Sequence, residues 1–299
     1  MSLTIVPFAE GEARLDWIGL TDAIAAGHAL PKAEIADTFL YRGKDTLLNR
    51  AAWIDGLGLA VKSATIFPGK AATSDPTVNG GVTLYRDSDG ALEALVDFHL
   101  VTKWKTAGDS LLAARKLARE DSRNILIIGA GTVARSLVQA YSAAFPEASF
   151  TVWNRTHANA LAFAASIPGM AVAENLEHAV KAADIITSAT MTTEPNLKGE
   201  WLQAGQHVDL IGAYRPDMRE VDDEALRRSR IFDTTVGHIG ELKIPLAASV
   251  ISRGDLVADY YDLSRFFRTA DSDITLFKNG GGAHLDLMTA RYILDRFRG

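Results

Sequence analysis

The hydrophobic pattern changes character along the chain. Over residues 1–97 the apolar runs are short or alternate with polar positions, as in Thr38–Tyr41, Leu57–Ile66, Gly81–Tyr85 and Ala91–Val96. Turn signals separate them, at Pro68-Gly69, Ser74-Asp-Pro76, Asn79-Gly-Gly81 and Asp87-Ser-Asp-Gly90. Such runs predict strands, and without strand–helix–strand alternation they predict an antiparallel sheet. Residues 98–120 predict a long helix, because Trp104, Ala107, Leu111, Leu112, Ala114 and Leu117 fall near helical spacing. From 124 to 275 strand and helix patterns alternate. Strands are expected at 125–128, 150–153, 170–172, 185–188, 208–211 and 230–233, with helical stretches such as His157–Ser166 and Leu176–Ala183 between them. That alternation predicts an α/β fold with a doubly wound parallel sheet. The tail, Ala283–Phe297, predicts a helix that packs back on the first region.

One segment adds chemistry to this pattern. Asn124-Ile-Leu-Ile-Ile-Gly-Ala-Gly-Thr-Val-Ala134 reads as a buried strand, a glycine turn and a helix start. Gly129 permits the turn, Gly131 admits close backbone approach, and Ala134 keeps the helix near the sheet. The first helical N–H groups, at Thr132, Val133 and Ala134, then face an anion. A dinucleotide site of the Rossmann type is expected here. An NAD-preferring site usually carries an acid at the end of the second strand to bind the ribose 2′-hydroxyl. This chain has Asn154-Arg155-Thr156 there. An amide, a guanidinium and a hydroxyl suit a 2′-phosphate, so NADP(H) is favoured, with NAD(H) possible.

The bulk composition narrows the classes. Formal net charge is −6 over 299 residues, so no basic field favours nucleic acid. There are no cysteines, which excludes disulfides, thiolate nucleophiles and Cys-ligated metals and is compatible with a cytoplasmic setting. The first ten residues lack a basic segment followed by a long apolar core, so no signal peptide is expected. No run of about 18 uncharged apolar residues predicts a membrane span. The histidines are scattered and no metal motif or G-x-S-x-G elbow occurs.

Taken in order, several short strings resemble the ornithine cyclodeaminase/mu-crystallin family along nearly the whole chain. They are Arg42, Val61-Lys62, Lys105-Thr106-Ala107, Gly129–Ala134, Ile186-Thr-Ser-Ala-Thr190 with Glu194-Pro195, Gly212–Glu220, Gly240-Glu-Leu242 and Phe277-Lys-Asn-Gly-Gly-Gly-Ala-His-Leu-Asp286. The resemblance implies an enzyme of amino or imino acids and a homodimer built through the β-rich part. It divides the chain into a substrate-binding and dimerisation domain (1–118 with 284–299, α+β) and a Rossmann domain (119–283). Four departures stand out. Tyr214 replaces the Asp that cyclodeaminases use to accept protons, and a phenol with a pKa of about 10 is a poor base at neutral pH. Lys105 replaces an Arg, Asn49-Arg50 replaces Met-Pro, and Asn279 replaces a Ser. The Arg-Pro-Asp-x-Arg-Glu string ending at Glu220 instead resembles the ketimine reductase branch.

Reduction of a cyclic ketimine needs a carboxylate clamp, a hydride and a proton for the nitrogen. Arg42 is the expected clamp, because its fork donates to both oxygens. Lys62 lies in an otherwise apolar strand, where a lysine is costly unless paired or functional. It could bind the carboxylate or pass a proton to the imine nitrogen. Lys105 could contact a carboxylate or a cofactor phosphate. Tyr214 could orient the imine or cap its strand. Thr190 and Gly212 are expected near the cofactor after their strands, and Asn279 on the nicotinamide carboxamide, with Gly280 giving close approach to substrate. Asp286 is expected to cap the tail helix. The leading expectation is NADPH-dependent reduction of 1-pyrroline-2-carboxylate or 1-piperideine-2-carboxylate. Ornithine cyclodeaminase or amino-acid dehydrogenase activity, and a cofactor-gated binding protein with little catalysis, are the alternatives.

Overall fold

The computed structural model describes residues 3–72, 76–213, 215, 217–234 and 240–299. The chain divides into two compact units, Met1–Gly108 with Gly281–Gly299, and Asp109–Gly280. The first cut falls 118 − 108 = 10 residues before the expected boundary, and the return 284 − 281 = 3 residues before it. The reason is local: one uninterrupted helix runs through the first cut, so no change in composition marks it.

The first unit opens with β1 (Thr4–Val6), α1 (Phe8–Glu12) and α2 (Trp17–His28). It continues with β2 (Glu34–Arg42), β3 (Asp45–Ile54), β4 (Gly58–Ile66), β5 (Val78–Tyr85) and β6 (Leu92–Asp97), then α3 (Phe98–Leu117). The sheet order is β1-β6-β5-β4-β3-β2. Strands β2 to β6 form an antiparallel meander, as the period-2 pattern predicts. Two features depart from it. β1 pairs with β6 in parallel, and α2 occupies a stretch read only as β-rich. Asp16 caps α2 by accepting from Gly19 N at 2.6 Å, and Trp17, Leu20 and Ile24 form its buried stripe.

Alternation in β4 is strict. Ala60, Lys62 and Ala64 are buried, while Leu59, Val61 and Ser63 are half-exposed. The closing helix of the unit covers the buried face and contacts β3, β4 and α2.

The second unit contains β7 (Asn124–Ile128), α4 (Thr132–Ala144), β8 (Ser149–Trp153), α5 (His157–Ala165), β9 (Ala171–Val172), α6 (Leu176–Ala182) and β10 (Ile185–Ser188). It continues with β11 (His207–Leu210), α7 (Asp223–Arg228), β12 (Arg230–Asp233), α8 (Gly240–Ala247), β13 (Leu256–Asp259) and β14 (Thr275–Lys278). The chain returns to the first unit as α9 (Ala283–Arg298).

The sheet order is β13-β12-β14-β11-β10-β7-β8-β9, with parallel pairing throughout. Its inner strands are nearly continuous apolar runs because helices cover both faces. Leu126, Ile128, Ile186, Val208, Leu210 and Leu276 belong to one core cluster. Strand β14, unforeseen in the sequence, lies between β11 and β12. Strand order reverses between β7, followed outward by β8, and β10, followed outward by β11. A parallel sheet places ligands beyond such a switch point.

Candidate active site

In the second unit, the ends of β7, β8 and β10 open into a cleft of about 570 Å³. Gly129, Ala130 and Gly131 line it with Asn154, Arg155 and Thr156 from the end of β8, and with Thr190 and Asn196 after β10. Gly129 has φ of 111°, a left-handed conformation that β-carbon sterics disfavour, and a Cβ there would lie 2.9 Å from Ala189 O. The glycine turn is therefore required by the backbone. Gly131 precedes α4, and Thr132, Val133 and Ala134 form its first turn, which contains no acid. Their N–H groups have no intrahelical acceptor, which makes the turn an anion site. Arg155 is exposed and makes no ion pair among the described residues. Asn154 donates to Thr156 O at 2.9 Å, which shapes the strand end. These residues fit a dinucleotide: an acid-free helix start, a strand end without a carboxylate, and a cleft of suitable size.

Glu220, which the sequence reading left as part of a motif string, organises the floor of this region. Its Oε1 accepts from Ser188 Oγ at 2.6 Å, Thr190 N at 2.9 Å and Thr190 Oγ1 at 3.2 Å. Its Oε2 accepts from Gly212 N at 2.6 Å and Ala213 N at 3.1 Å. Gly212 is required by close approach, since a Cβ there would sit 2.2 Å from Thr190 O. One buried carboxylate thus binds together the loops that leave β10 and β11. Thr190 lines the cleft while its amide is spent on Glu220.

Asn279 was expected to face the nicotinamide. It is buried, and its Nδ2 donates to Ser110 Oγ at 2.8 Å. Gly280 N donates to Thr234 Oγ1 at 2.9 Å. Both contacts lie within the second unit. Tyr214 lies outside the described residues.

In the first unit, Lys62 is buried and its Nζ donates to Asp286 Oδ1 at 2.9 Å. The same ammonium lies 4.8 Å from the centre of the Phe98 ring. Asp286 is therefore no helix cap: it sits in the first turn of α9, after the backbone cap at Gly282, and points to β4. Burial raises its carboxyl pKa, but Lys62, Lys105 and Arg50 outweigh that and hold it below the ordinary carboxylate range. Its Oδ2 is buried without a hydrogen-bond partner among the described residues. Lys105 Nζ lies 2.8 Å from where a Cβ at Gly281 would be, which places the ammonium at the start of α9.

Arg42 does not join this group. Its side chain is 79% exposed and pairs with Asp45 at 2.9 Å across the β2–β3 turn. Arg50 does. It stands directly opposite Lys62 in the β3–β4 register and opposite Asp37 in the β2–β3 register. Burial lowers its pKa, and Asp37, with a contribution from Asp286, more than offsets that. Sequence reasoning missed Arg50 because only the strand register reveals which face it occupies. The signal for Asp286 was available: an acid among apolar residues of a buried helix.

Comparison with known proteins supports one assignment. The family model described as "Ornithine cyclodeaminase/mu-crystallin family" matches residues 54–299, so Arg42, Asn49 and Arg50 precede the match. The "Delta(1)-pyrroline-2-carboxylate reductase" of Paracoccus denitrificans is 46% identical over 298 residues, covering 96% of this chain and 94% of that protein. The mouse "Ketimine reductase mu-crystallin" is 32% identical over 243 residues, covering 79% and 75%. Among solved structures, Thermococcus litoralis Delta(1)-pyrroline-2-carboxylate reductase in complex with NADH and L-proline superposes with a TM-score of 0.89 at 25% identity, covering 98% of this chain and 97% of that one. The motif order, the parallel sheet with its glycine turn and these matches agree: the chain belongs to the ornithine cyclodeaminase/mu-crystallin family.

Proposed function

We propose that this protein reduces a cyclic ketimine carboxylate, of the 1-pyrroline-2-carboxylate or 1-piperideine-2-carboxylate type, to the cyclic imino acid. The observation that carries the reading is the buried pair of Lys62 and Asp286, with an ammonium beside a carboxylate oxygen that lacks a donor. A ketimine nitrogen must gain a proton as its carbon gains a hydride. Lys62 Nζ supplies that proton, and Asp286 Oδ2 accepts from the N–H that results. Asp286 also keeps the lysine in place, and Lys105 adds positive charge for the substrate carboxylate. A reduced nicotinamide, when bound, would supply the hydride. The reductase relatives, one solved with NADH and proline, support the same chemistry.

Three finer points extend the proposal. NADPH is the preferred donor, supported by the Asn154-Arg155-Thr156 strand end and its lack of a carboxylate. The protein works as a homodimer through the edge of its first sheet. β2 is exposed at every position, with Phe39, Leu40 and Tyr41 presented to solvent. A long apolar edge strand is a ready pairing surface, and an archaeal relative by fold was solved as an "alanine dehydrogenase dimer". The setting is cytoplasmic, in keeping with a chain without cysteine in which no helix among the described residues is long and apolar enough to cross a membrane.

Turnover of 1-pyrroline-2-carboxylate and of 1-piperideine-2-carboxylate, followed by cofactor absorbance and product identification, tests the reading. The expected result is formation of proline or pipecolate, faster with NADPH than with NADH. Oxidation of neither cofactor by either ring overturns it.

A further inference from the structure

We infer that Arg50, and not Arg42, is the group that grips the substrate carboxylate. The inference rests on the reductase reading and assigns a residue to it. In a cyclic ketimine carboxylate the imine carbon carries both the nitrogen and the carboxylate. The proton donor and the carboxylate clamp must therefore be immediate neighbours.

Arg50 meets that requirement. It is the direct cross-strand partner of Lys62, so the two side chains leave the same face with Cβ atoms about 5 Å apart. Arg42 pairs with Asp45, which is 50 − 45 = 5 residues along β3 from Arg50. An odd offset puts it on the opposite face, and five residues of strand span about 17 Å. No side chain at Arg42 can share a carboxylate of this size with Lys62.

The hydrogen bonding of Arg50 leaves it the right edge. Nε donates to Asp37 Oδ1 and Nη2 to Asp37 Oδ2, each at 3.0 Å. A guanidinium held along its Nε–Nη2 edge still presents the Nη1–Nη2 edge, which suits a second carboxylate in bidentate fashion. The hydrogen bonds of Arg50 among the described residues use Nε and Nη2, not Nη1, and its side chain is 23% exposed. Asp37 fixes the plane of the fork and so reduces the ordering cost of binding. The neighbouring departure from the family pattern does not compete: Asn49 faces the other way and accepts from Ser63 Oγ at 2.6 Å.

The test compares R50Q, R50K and R42Q with wild type, using two probes besides the ketimine. Pyrrole-2-carboxylate is a planar carboxylate that cannot be reduced, and its binding is read by calorimetry. 1-Pyrroline lacks the carboxylate and reports chemistry alone. R50Q is expected to weaken pyrrole-2-carboxylate binding and raise KM for 1-pyrroline-2-carboxylate by roughly 10- to 100-fold. R50K recovers part of the loss, since a point charge cannot reproduce the fork. Turnover of 1-pyrroline falls far less than turnover of 1-pyrroline-2-carboxylate, and affinity for NADPH stays as in wild type. The double variant D37N/R50Q removes the stranded carboxylate and must show the same loss if R50Q folds poorly. The assignment is overturned if R50Q and D37N/R50Q bind pyrrole-2-carboxylate as wild type does, if 1-pyrroline turnover falls in parallel, or if R42Q alone shows the loss. Arg50-dependent binding without reduction of any ketimine would keep this assignment and remove the reductase reading.

Discussion

Lys62 and Asp286 are 224 residues apart in sequence and form a buried ion pair of 2.9 Å. Such a pair is asymmetric in its energetics. Removing one member strands a buried charge and costs about 3–5 kcal/mol, whereas replacing both with apolar groups of similar volume is close to neutral. We expect D286N to lower the urea midpoint strongly and K62M/D286L to recover most of it. Activity separates from stability in this series: D286N and the double variant both lose at least about 100-fold in kcat/KM, the scale of a positioned proton donor. A D286N enzyme with wild-type activity would remove Asp286 from the mechanism.

Arg155 governs cofactor choice if the strand end of β8 reads the 2′-phosphate. R155E places a carboxylate where a phosphate is expected. The dissociation constant for NADPH should rise roughly 10- to 100-fold, with that for NADH changed by less than about threefold. Fluorescence titration of both reduced cofactors decides the matter, and equal weakening of the two would reassign Arg155 to a general structural role.

Glu220 accepts from Ser188, Thr190, Gly212 and Ala213, and the buried Lys278 ammonium lies 3.9 Å from its Oε2. In E220Q one carboxylate oxygen becomes an NH2 facing backbone N–H groups. A loss of about 2–3 kcal/mol in stability is expected. Thr190 lines the dinucleotide cleft, so NADPH affinity should fall with it. Unchanged denaturation and cofactor titration curves would show that the two loops hold their shape without this acceptor.

His207 supplies a pH dependence. Burial, with a contribution from Arg268, pushes its pKa down to about 3. The folded state therefore binds fewer protons than the unfolded chain below the ordinary histidine range. Stability is fully present above pH 6.5 and is lost as pH falls toward 3, by about 1.4 kcal/mol per pH unit. Its Nδ1 lies 2.9 Å from Thr275 Oγ1. An asparagine can keep that contact without titrating. The difference in unfolding free energy between wild type and H207N should thus shrink from pH 6.5 to 4. A difference constant with pH would refute the assignment.

What the chain disclosed on reading follows from the range of each signal. The parallel sheet and its glycine turn were legible because both are local: Ile125–Ile128 is a continuous apolar run and Gly129 follows at once. The helix Trp17–His28 was missed although Asp16 and the spacing of Trp17, Leu20 and Ile24 encode it, because the surrounding turns drew the whole region into one β-rich assignment. Strand Thr275–Lys278 escaped notice because it is short and ends in a buried lysine. The tie between Glu220 and the loop at Thr190 spans 30 residues, and the pairing of Lys62 with Asp286 spans far more. No periodicity reports on contacts of that kind. Arg50 was visible as an oddity, but its partners emerged only once the register of β3 was known.

The helix Ala283–Arg298 delivers Asp286 to a sheet made from residues far earlier in the polypeptide. During translation the ammonium at Lys62 waits for its counter-charge until 224 further residues have been joined. On the proposed reading, a nascent chain that has not yet made this helix owns the nucleotide fold without a completed acid–base centre.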